Sequence, residues 1–277
     1  MSVAPSPFAE TVRRHDRERY LTALFAPADR RDDLLALYAF NLEIARTREA
    51  VREPMLGHIR LQWWRDALDE IDAGKPPRRH EVVTPLADAI RRHNLARDAF
   101  ERLLLARERD LDDTPFQTLA DLEAYADGTS GALVSLALAI LGVADAAMLA
   151  RSRQVGRGYA LTGLLRAVGF HARQNRCLLP ESVLAAHGTD REAALAMKPS
   201  PALAAAVAEV AWAAEAALAP VRVTSAAWPA LAPAVLARRH LKALQRTGHD
   251  VFAPGLAAEP GAGAVLALIT TSLVRRA

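Results

Sequence analysis

LYAFNLEIARTRE, from Leu37 to Glu49, and LTGLLRAVGFHARQNRCLLP, from Leu161 to Pro180, give the clearest indication of how this chain folds. In both, apolar residues recur near helical spacing, so each segment is predicted to be helical. Side chains four positions apart in a helix return to nearly the same face and can act as a pair on one ligand. In these two segments, Ala45 and Glu49 form one such pair, and Ala167 and His171 form the other.

The composition of the rest of the chain favours helices packed on helices. The chain has 277 residues, of which 51% are hydrophobic but only 5% aromatic. No strand-like alternation of β-branched residues persists, so we predict an all-α protein with one large core. The net charge of +3 comes without a Lys/Arg block, which argues against a nucleic-acid partner. The single cysteine, Cys177, excludes an intrachain disulfide framework.

The periodic segments follow one another without a linker, which indicates a single domain over residues 1–277, with a core at about 18–255 and a C-terminal helix at about 262–276. Small residues at 127–131 interrupt a helical pattern and predict a local break or a close approach of backbones. The predicted helices cover residues 29–49, 56–71, 84–94, 96–111, 119–125, 132–141, 155–170, 181–187, 201–218 and 231–246.

The sequences at the two ends of the chain indicate where in the cell the protein is expected. The N-terminal stretch lacks the apolar run of a secretory signal. The apolar stretch from Ala264 to Val274 is too short to span a bilayer, which takes about 20 residues. With Arg275 and Arg276 behind it, this stretch is either a final core helix or a segment that lies on an anionic membrane surface. We therefore expect a cytoplasmic protein, either free or peripheral to the inner membrane.

Ordered sequence matches extend over most of the chain. They are YLTALFAPADRRDDLLALYAF at 20–40, LQWWRDALDEI at 61–71, YADGTSGALVSLAL at 125–138, RCLLPE at 176–181 and LKALQRTGHDVF at 241–252. In this order they resemble the squalene/phytoene synthase superfamily. The resemblance implies an isoprenoid-synthase-type helical bundle around a central cavity.

The same resemblance also identifies what this chain lacks. Enzymes of the superfamily carry two DxxxD motifs whose aspartates hold Mg²⁺ against a prenyl diphosphate. Three of the four matching positions have no carboxylate here, and alanine cannot ligate Mg²⁺. The pattern is more similar to the branch of respiratory complex I assembly factors, through AFN and Glu43 at the first segment and LRA, His171 and Leu179-Pro180 at the second.

Basic residues flank the positions of the lost acids. If these side chains faced the former site, they would form a cationic pocket that binds phosphate or carboxylate groups directly, without a metal. The alternative is that several of them lie in solvent. No catalytic residue, metal ligand or cofactor is predicted. The candidate residues of this vestigial site or anion pocket are Tyr38, Ala45, Arg46, Arg48, Glu49, Arg166, Ala167, His171, Arg173 and Arg176.

The sequence therefore predicts a non-catalytic member of the superfamily that binds a protein partner of complex I assembly, or an isoprenoid or other lipid. The alternative is an active, Mg²⁺-dependent head-to-head prenyl diphosphate transferase. A lipid carrier is a third hypothesis. The carboxylates that keep the transferase alternative open are Glu43, Glu49, Asp121, Glu123 and Asp127.

Overall fold

The computed structural model describes residues 6–220, 222–256 and 260–274. Within these ranges the chain is helical and contains no β-strand. In chain order the helices are α1 (Pro7–His15), α2 (Arg17–Ala23), α3 (Ala28–Ala45), α4 (Thr47–Ala50), α5 (Pro54–Asp72), α6 (Val83–His93), α7 (Arg97–Glu108), α8 (Leu119–Ala126), α9 (Ala132–Ile140), α10 (Ala146–Arg166), α11 (Val168–Arg173), α12 (Glu181–Ala186), α13 (Arg191–Leu195), α14 (Pro201–Ala217), α15 (Trp228–Leu231), α16 (Pro233–Arg246) and α17 (Ala262–Val274).

Helices α3 and α9 lie in the interior of the bundle. Helix α3 is buried almost continuously from residue 33 to residue 44, and α9 is apolar on all faces. The ring of Phe40 on α3 packs edge to face on Trp64 of α5 and on Phe100 of α7, with ring centroids 5.1 Å and 5.5 Å apart, respectively. Three helices are thus joined through one aromatic cluster, and edge-to-face ring pairs of this kind add to the stabilisation that comes from burial.

The predicted all-α bundle is confirmed, but the two segments that indicate it most clearly are not continuous helices. Helix α3 ends at Ala45, and Arg46, with ψ near 0, separates it from α4. Helix α10 ends at Arg166, and Ala167 has nearly the same backbone angles. The prediction of unbroken helices over 29–49 and 155–170 was therefore wrong at one residue in each. The breaks fall at or directly after the first paired position of each segment, Ala167 and Ala45.

Other differences concern helices that the sequence pattern did not predict. Helices α1 and α2 precede the first predicted helix, α10 begins at Ala146 instead of residue 155, and α13 lies in a stretch for which no helix was predicted. Helix α2 begins behind Asp16, whose carboxylate accepts a hydrogen bond from the Arg19 backbone N–H at 3.1 Å. This N-cap gives a charged stretch a defined helix start.

The small-residue patch at 127–131 is both a break and a close approach, as predicted. It forms a π-helical turn, Asp127–Gly131, between α8 and α9. Helix α10 crosses this turn at Gly156, where an added Cβ would lie 2.7 Å from the Ser130 carbonyl oxygen and 2.8 Å from the Gly131 Cα. Only glycine allows the two backbones to come this close.

The last helix, α17, packs on α16 through Ala264 and Leu268. The chain contains a helix in the region where the sequence predicted one, up to Val274. Arg275 and Arg276 lie outside the described residues. In the described part of the chain, no helix is both long enough and apolar enough to cross a membrane.

Candidate functional site

A polar cavity of about 330 Å³ lies where α2, α7, α8, α10 and α16 converge. Its wall also includes the π-helical turn and the first turn of α11. The close crossing at Gly156 brings α10 against that turn and places residues 159–166 along the cavity. The polar groups that line it are the side chains of Asp16, Glu18, Arg19, Arg107, Tyr125, Thr129, Ser130, Tyr159, Thr162, Arg166, His171 and His240.

Glu18 is the buried carboxylate of this cavity, with 6% of its surface exposed. Its Oε1 accepts hydrogen bonds from Arg166 at 2.7 Å and from His240 Nε2 at 2.8 Å. Its Oε2 accepts one from the Tyr159 hydroxyl at 2.8 Å. Burial alone would raise the pKa of Glu18, but the His240 hydrogen bond and the charge of Arg166 hold that pKa at about 2. Glu18 is therefore an anion whose oxygens are already occupied.

Arg19 holds a second set of contacts on the same wall. Its guanidinium donates to Asp16 Oδ2 at 2.6 Å and to the Ser130 hydroxyl at 3.1 Å. The guanidinium carbon also lies 4.8 Å from the centre of the Tyr159 ring, a cation–π distance. Arg19 thus ties α2 to α10 and to the π-helical turn, and Asp16 is neutralised by it.

Arg107 brings α7 to the cavity. It donates to the Tyr125 hydroxyl at 2.8 Å and to Asp110 Oδ2 at 3.1 Å, while Tyr125 donates to Asp110 Oδ1 at 2.7 Å. Burial raises the pKa of Tyr125 above its ordinary value, so this hydroxyl stays protonated and keeps its donor role at neutral pH.

Three nitrogen atoms of the lining side chains are buried without a partner: Arg107 Nε, Arg166 Nε and His171 Nδ1. Burial, with a further contribution from the charge of Arg176, lowers the pKa of His171 to about 4. His171 is therefore neutral at pH 7, whereas Arg107 and Arg166 keep unused N–H donors. Buried donors without partners are uncommon in proteins, and here they border a cavity that could hold an acceptor.

The predicted site residues separate into two groups. Arg166, Ala167 and His171 line the cavity. Arg176 lies beside it and donates to the Asp110 carbonyl oxygen at 3.1 Å, and Tyr38 is buried behind Arg19 at 5.9 Å from its guanidinium carbon.

The remaining predicted residues do not line the cavity. Arg46 and Glu49 are exposed and form a loose ion pair at 3.9 Å, and Arg48 lies 3.5 Å from Asp113. Arg173 is exposed and Ala45 is half-buried. In the first segment the solvent-facing alternative therefore describes Arg46, whereas Arg48 is half-buried away from the cavity, and only the second segment contributes to the pocket.

Sequence reasoning missed the residues that the cavity uses most. Asp16, Glu18 and Arg19 lie in the stretch HDRERY, which looks like a solvated charge cluster, and Arg107 lies in an equally polar stretch. Nothing local distinguishes them from surface residues. Glu18 and Arg19 are held by residues more than 100 positions away, Tyr159 and Ser130 respectively.

Most of the carboxylates on which the transferase alternative rests form ion pairs or helix caps outside the cavity. Glu43 pairs with Arg60 at 2.5 Å, Asp127 pairs with Arg153, and Asp121 caps α8 through Thr118. Among the residues that the structure describes, no cluster of three His, Cys, Asp or Glu side chains could hold a metal ion. A ligand in this cavity would meet arginine, tyrosine, histidine and hydroxyl groups beside the paired carboxylates of Asp16 and Glu18.

Comparison with known proteins identifies the family of this chain. The Squalene/phytoene synthase family profile matches residues 12–260. "NADH dehydrogenase (ubiquinone) complex I, assembly factor 6" of Rattus norvegicus is 32% identical over 252 residues, which cover 89% of this chain and 75% of the rat protein. Presqualene diphosphate synthase of Rhodopseudomonas palustris is 27% identical over 166 residues, 60% of this chain and 58% of that enzyme.

Solved structures share the fold at low sequence identity. A dehydrosqualene synthase crystallised with a ligand superposes with a TM-score of 0.83 at 18% identity, covering 96% of this chain and 94% of that one. The fold, the matched residues and the similarity to the rat protein agree. The chain belongs to the squalene/phytoene synthase family.

Proposed function

We propose that this protein is a non-catalytic assembly-type factor for respiratory complex I, which binds a partner or an anionic ligand instead of joining prenyl diphosphates. The observation that carries the proposal is the state of the carboxylates in the cavity. Glu18 accepts hydrogen bonds from Arg166, His240 and Tyr159, and Asp16 is neutralised by Arg19. Neither carboxylate is free to hold Mg²⁺, because each would first have to give up a buried cation.

The positions of the lost motif acids support the same conclusion. Ala167 and His171 face the cavity, and neither can supply a carboxylate oxygen. The similarity to proteins named complex I assembly factor 6 supports the choice of partner. Under this proposal the cavity retains affinity for negative charge through Arg107 and Arg166, but lacks the metal ligands that assist departure of a diphosphate.

Deletion of the gene tests the assembly role. We expect the deletion strain to lose assembled complex I on native gels and NADH:quinone activity in its membranes, and expression of the wild-type chain to restore both. The matched variants are Arg166→Gln, which removes the cation bound to Glu18, and Arg173→Gln, which alters an exposed arginine of α11. Arg173→Gln should restore assembly, and Arg166→Gln should restore less. Unchanged complex I in the deletion strain would contradict the proposal.

The second candidate is the transferase reaction, favoured by the similarity to presqualene diphosphate synthase and phytoene synthase. Purified protein is incubated with Mg²⁺ and farnesyl or geranylgeranyl diphosphate, and the lipids are extracted and separated. We expect no C30 or C40 product. A dehydrosqualene synthase assayed in parallel shows that the assay works. Product formed with repeated turnover would establish the transferase and overturn the non-catalytic proposal.

A further inference from the structure

Helix α17 exposes apolar residues where a surface helix normally places polar ones. Leu266, Ile269 and Leu273 are 61%, 46% and 79% exposed and lie on the side of α17 opposite Ala264 and Leu268, which pack on α16. We refer to these three residues as the outer face of α17. Helix α17 contains no charged residue. A helix on the surface of a soluble bundle is expected to be amphipathic, with its polar side outward.

The neighbouring helix α16 carries a row of cations. Arg239, Lys242 and Arg246 are exposed at helical spacing, on the side of α16 away from the core residues Leu241 and Leu244. We refer to these three residues as the basic stripe of α16. None of the three forms an ion pair or a side-chain hydrogen bond within the described parts of the chain.

The outer face and the basic stripe meet at one end of α17. An added Cβ at Gly263, in the first turn of α17, would lie 3.3 Å from Arg239 Nη2. The cations therefore begin beside the start of the apolar face. Over residues 262–274 the helix is about 20 Å long, enough to lie along a bilayer surface but too short to cross one.

We propose that the outer face of α17 and the basic stripe of α16 form a docking surface for an anionic lipid bilayer. Apolar side chains that enter the headgroup region, next to unpaired Lys and Arg, are the combination by which helices bind such membranes. Charge complementarity favours this occupant over a second copy of the chain, because two copies that meet at this surface would bring their basic stripes together. The proposal concerns a surface and does not depend on the function of the cavity.

The proposal is tested by flotation of the purified full chain with vesicles of phosphatidylcholine alone, or of phosphatidylcholine mixed with phosphatidylglycerol. We expect binding to the mixed vesicles that weakens at high salt, and little binding to phosphatidylcholine. The variant Leu266→Gln/Ile269→Gln/Leu273→Gln should lower the partition coefficient at least about tenfold, because the apolar area that enters the bilayer is lost. The variant Arg239→Gln/Lys242→Gln/Arg246→Gln should have an effect of similar size, confined to low salt.

Matched controls use the same chemistry elsewhere on the surface. Met55, Leu56 and Ile59 of α5 are also exposed, and their replacement by Gln should leave vesicle binding unchanged. So should replacement of the exposed Arg52, Arg79 and Lys198 by Gln. Circular dichroism of each variant confirms that it is folded. Absence of wild-type binding to anionic vesicles would overturn the proposal, as would a dimer in sedimentation that the apolar triple variant converts to monomer.

Discussion

The residue that best explains the cavity is Glu18. A buried carboxylate costs several kcal/mol unless cations and donors compensate for its lost hydration. Here two cationic or ionisable partners and one hydroxyl do so, from α10 and α16. The wall is thereby fixed by charge as well as by packing.

Replacement of Glu18 by Gln is expected to destabilise the protein in a pH-dependent way. At pH 7 the loss of the anion leaves Arg166 without its counter-charge and should cost about 3–5 kcal/mol. The folded pKa of about 2 lies below the ordinary 4.5, so the stability that Glu18 contributes is present above about pH 4.5 and is lost as the pH falls toward 2. Urea unfolding at pH 7 and at pH 3 should show a smaller difference between wild type and variant at pH 3.

Glu10→Gln is the control for this measurement, because hydrogen bonds from Arg13 and Arg14 also lower the pKa of Glu10 to about 2, but this pair lies at the surface, where solvent screens it. It should change the unfolding free energy little at either pH. An equal wild-type-to-Glu18→Gln difference at pH 7 and pH 3 would show that the charge of Glu18 is not what stabilises the wall.

Among the elements, α10 has the largest part in building the site. It crosses the π-helical turn at Gly156 and packs on α14 at Gly158, where an added Cβ would lie 2.9 Å from the Ala214 carbonyl oxygen. Both contacts bring backbones closer than any side chain allows. The result is a helix whose last two turns are held against the cavity.

Gly156→Ala should therefore be destabilising by about 1–3 kcal/mol, because the contact at 2.7 Å is with backbone that cannot move aside. Gly163→Ala on the same helix is the matched control. No atom lies within 4 Å of an added Cβ there, so the substitution should be neutral or stabilising by up to about 1 kcal/mol. Thermal and urea unfolding of both variants measures the difference. If the two variants had equal stability, the close crossing would not be the constraint described here.

Sequence patterns predicted the elements better than the site. The period of apolar residues is local, so α5, α9, α14 and α16 were predicted within a few residues of their ends. The patch at 127–131 was also interpreted correctly, since consecutive small residues have too little side-chain volume to hold a neighbouring backbone away. The breaks at Arg46 and Ala167 carry no local signal, because neither residue is a helix breaker.

For the site, sequence reasoning identified Arg166, Ala167 and His171 because the family motif marks their positions. It missed Glu18 and Arg19, whose partners lie on distant elements, and Asp16, which pairs with Arg19. It also grouped Arg46, Arg48 and Arg173 with the pocket, although charge in the sequence does not indicate which way a side chain points. Tertiary packing decided both outcomes.

At the scale of the whole molecule, the prediction of one domain has a direct test. Buried tryptophans stand in both halves of the chain, Trp64 on α5 and Trp228 on α15, with 1% and 3% of their surfaces exposed. The variant Trp228→Phe leaves the fluorescence of Trp63 and Trp64 as the main buried reporter, and Trp63→Phe/Trp64→Phe leaves that of Trp228. In a single cooperative unit, both signals and the helical circular dichroism should change at the same urea concentration.

For each variant the midpoint of the fluorescence transition is compared with the midpoint of the circular dichroism transition of the same variant. A change in overall stability then shifts both midpoints and does not mimic a second transition. Fluorescence midpoints that separate from the dichroism midpoint in either variant would indicate two units that unfold independently. We expect a single cooperative unit, because the hydrogen bonds of Glu18 to residues 159, 166 and 240 join the first part of the chain to the last.

The Glu18 contacts also set an order of events during synthesis. Glu18 and His240 are 222 positions apart, and Arg166 lies between them in the chain. At about 5–20 residues per second, a ribosome would deliver His240 roughly 10–40 s after Glu18. Tyr159 follows Glu18 by 141 positions and Arg166 by 148, so for most of that time the Glu18 carboxylate has none of its three partners, and the cavity closes among the last events of translation. Until its C-terminal helices emerge, the nascent protein therefore exposes an incompletely packed interior with charged side chains to chaperones.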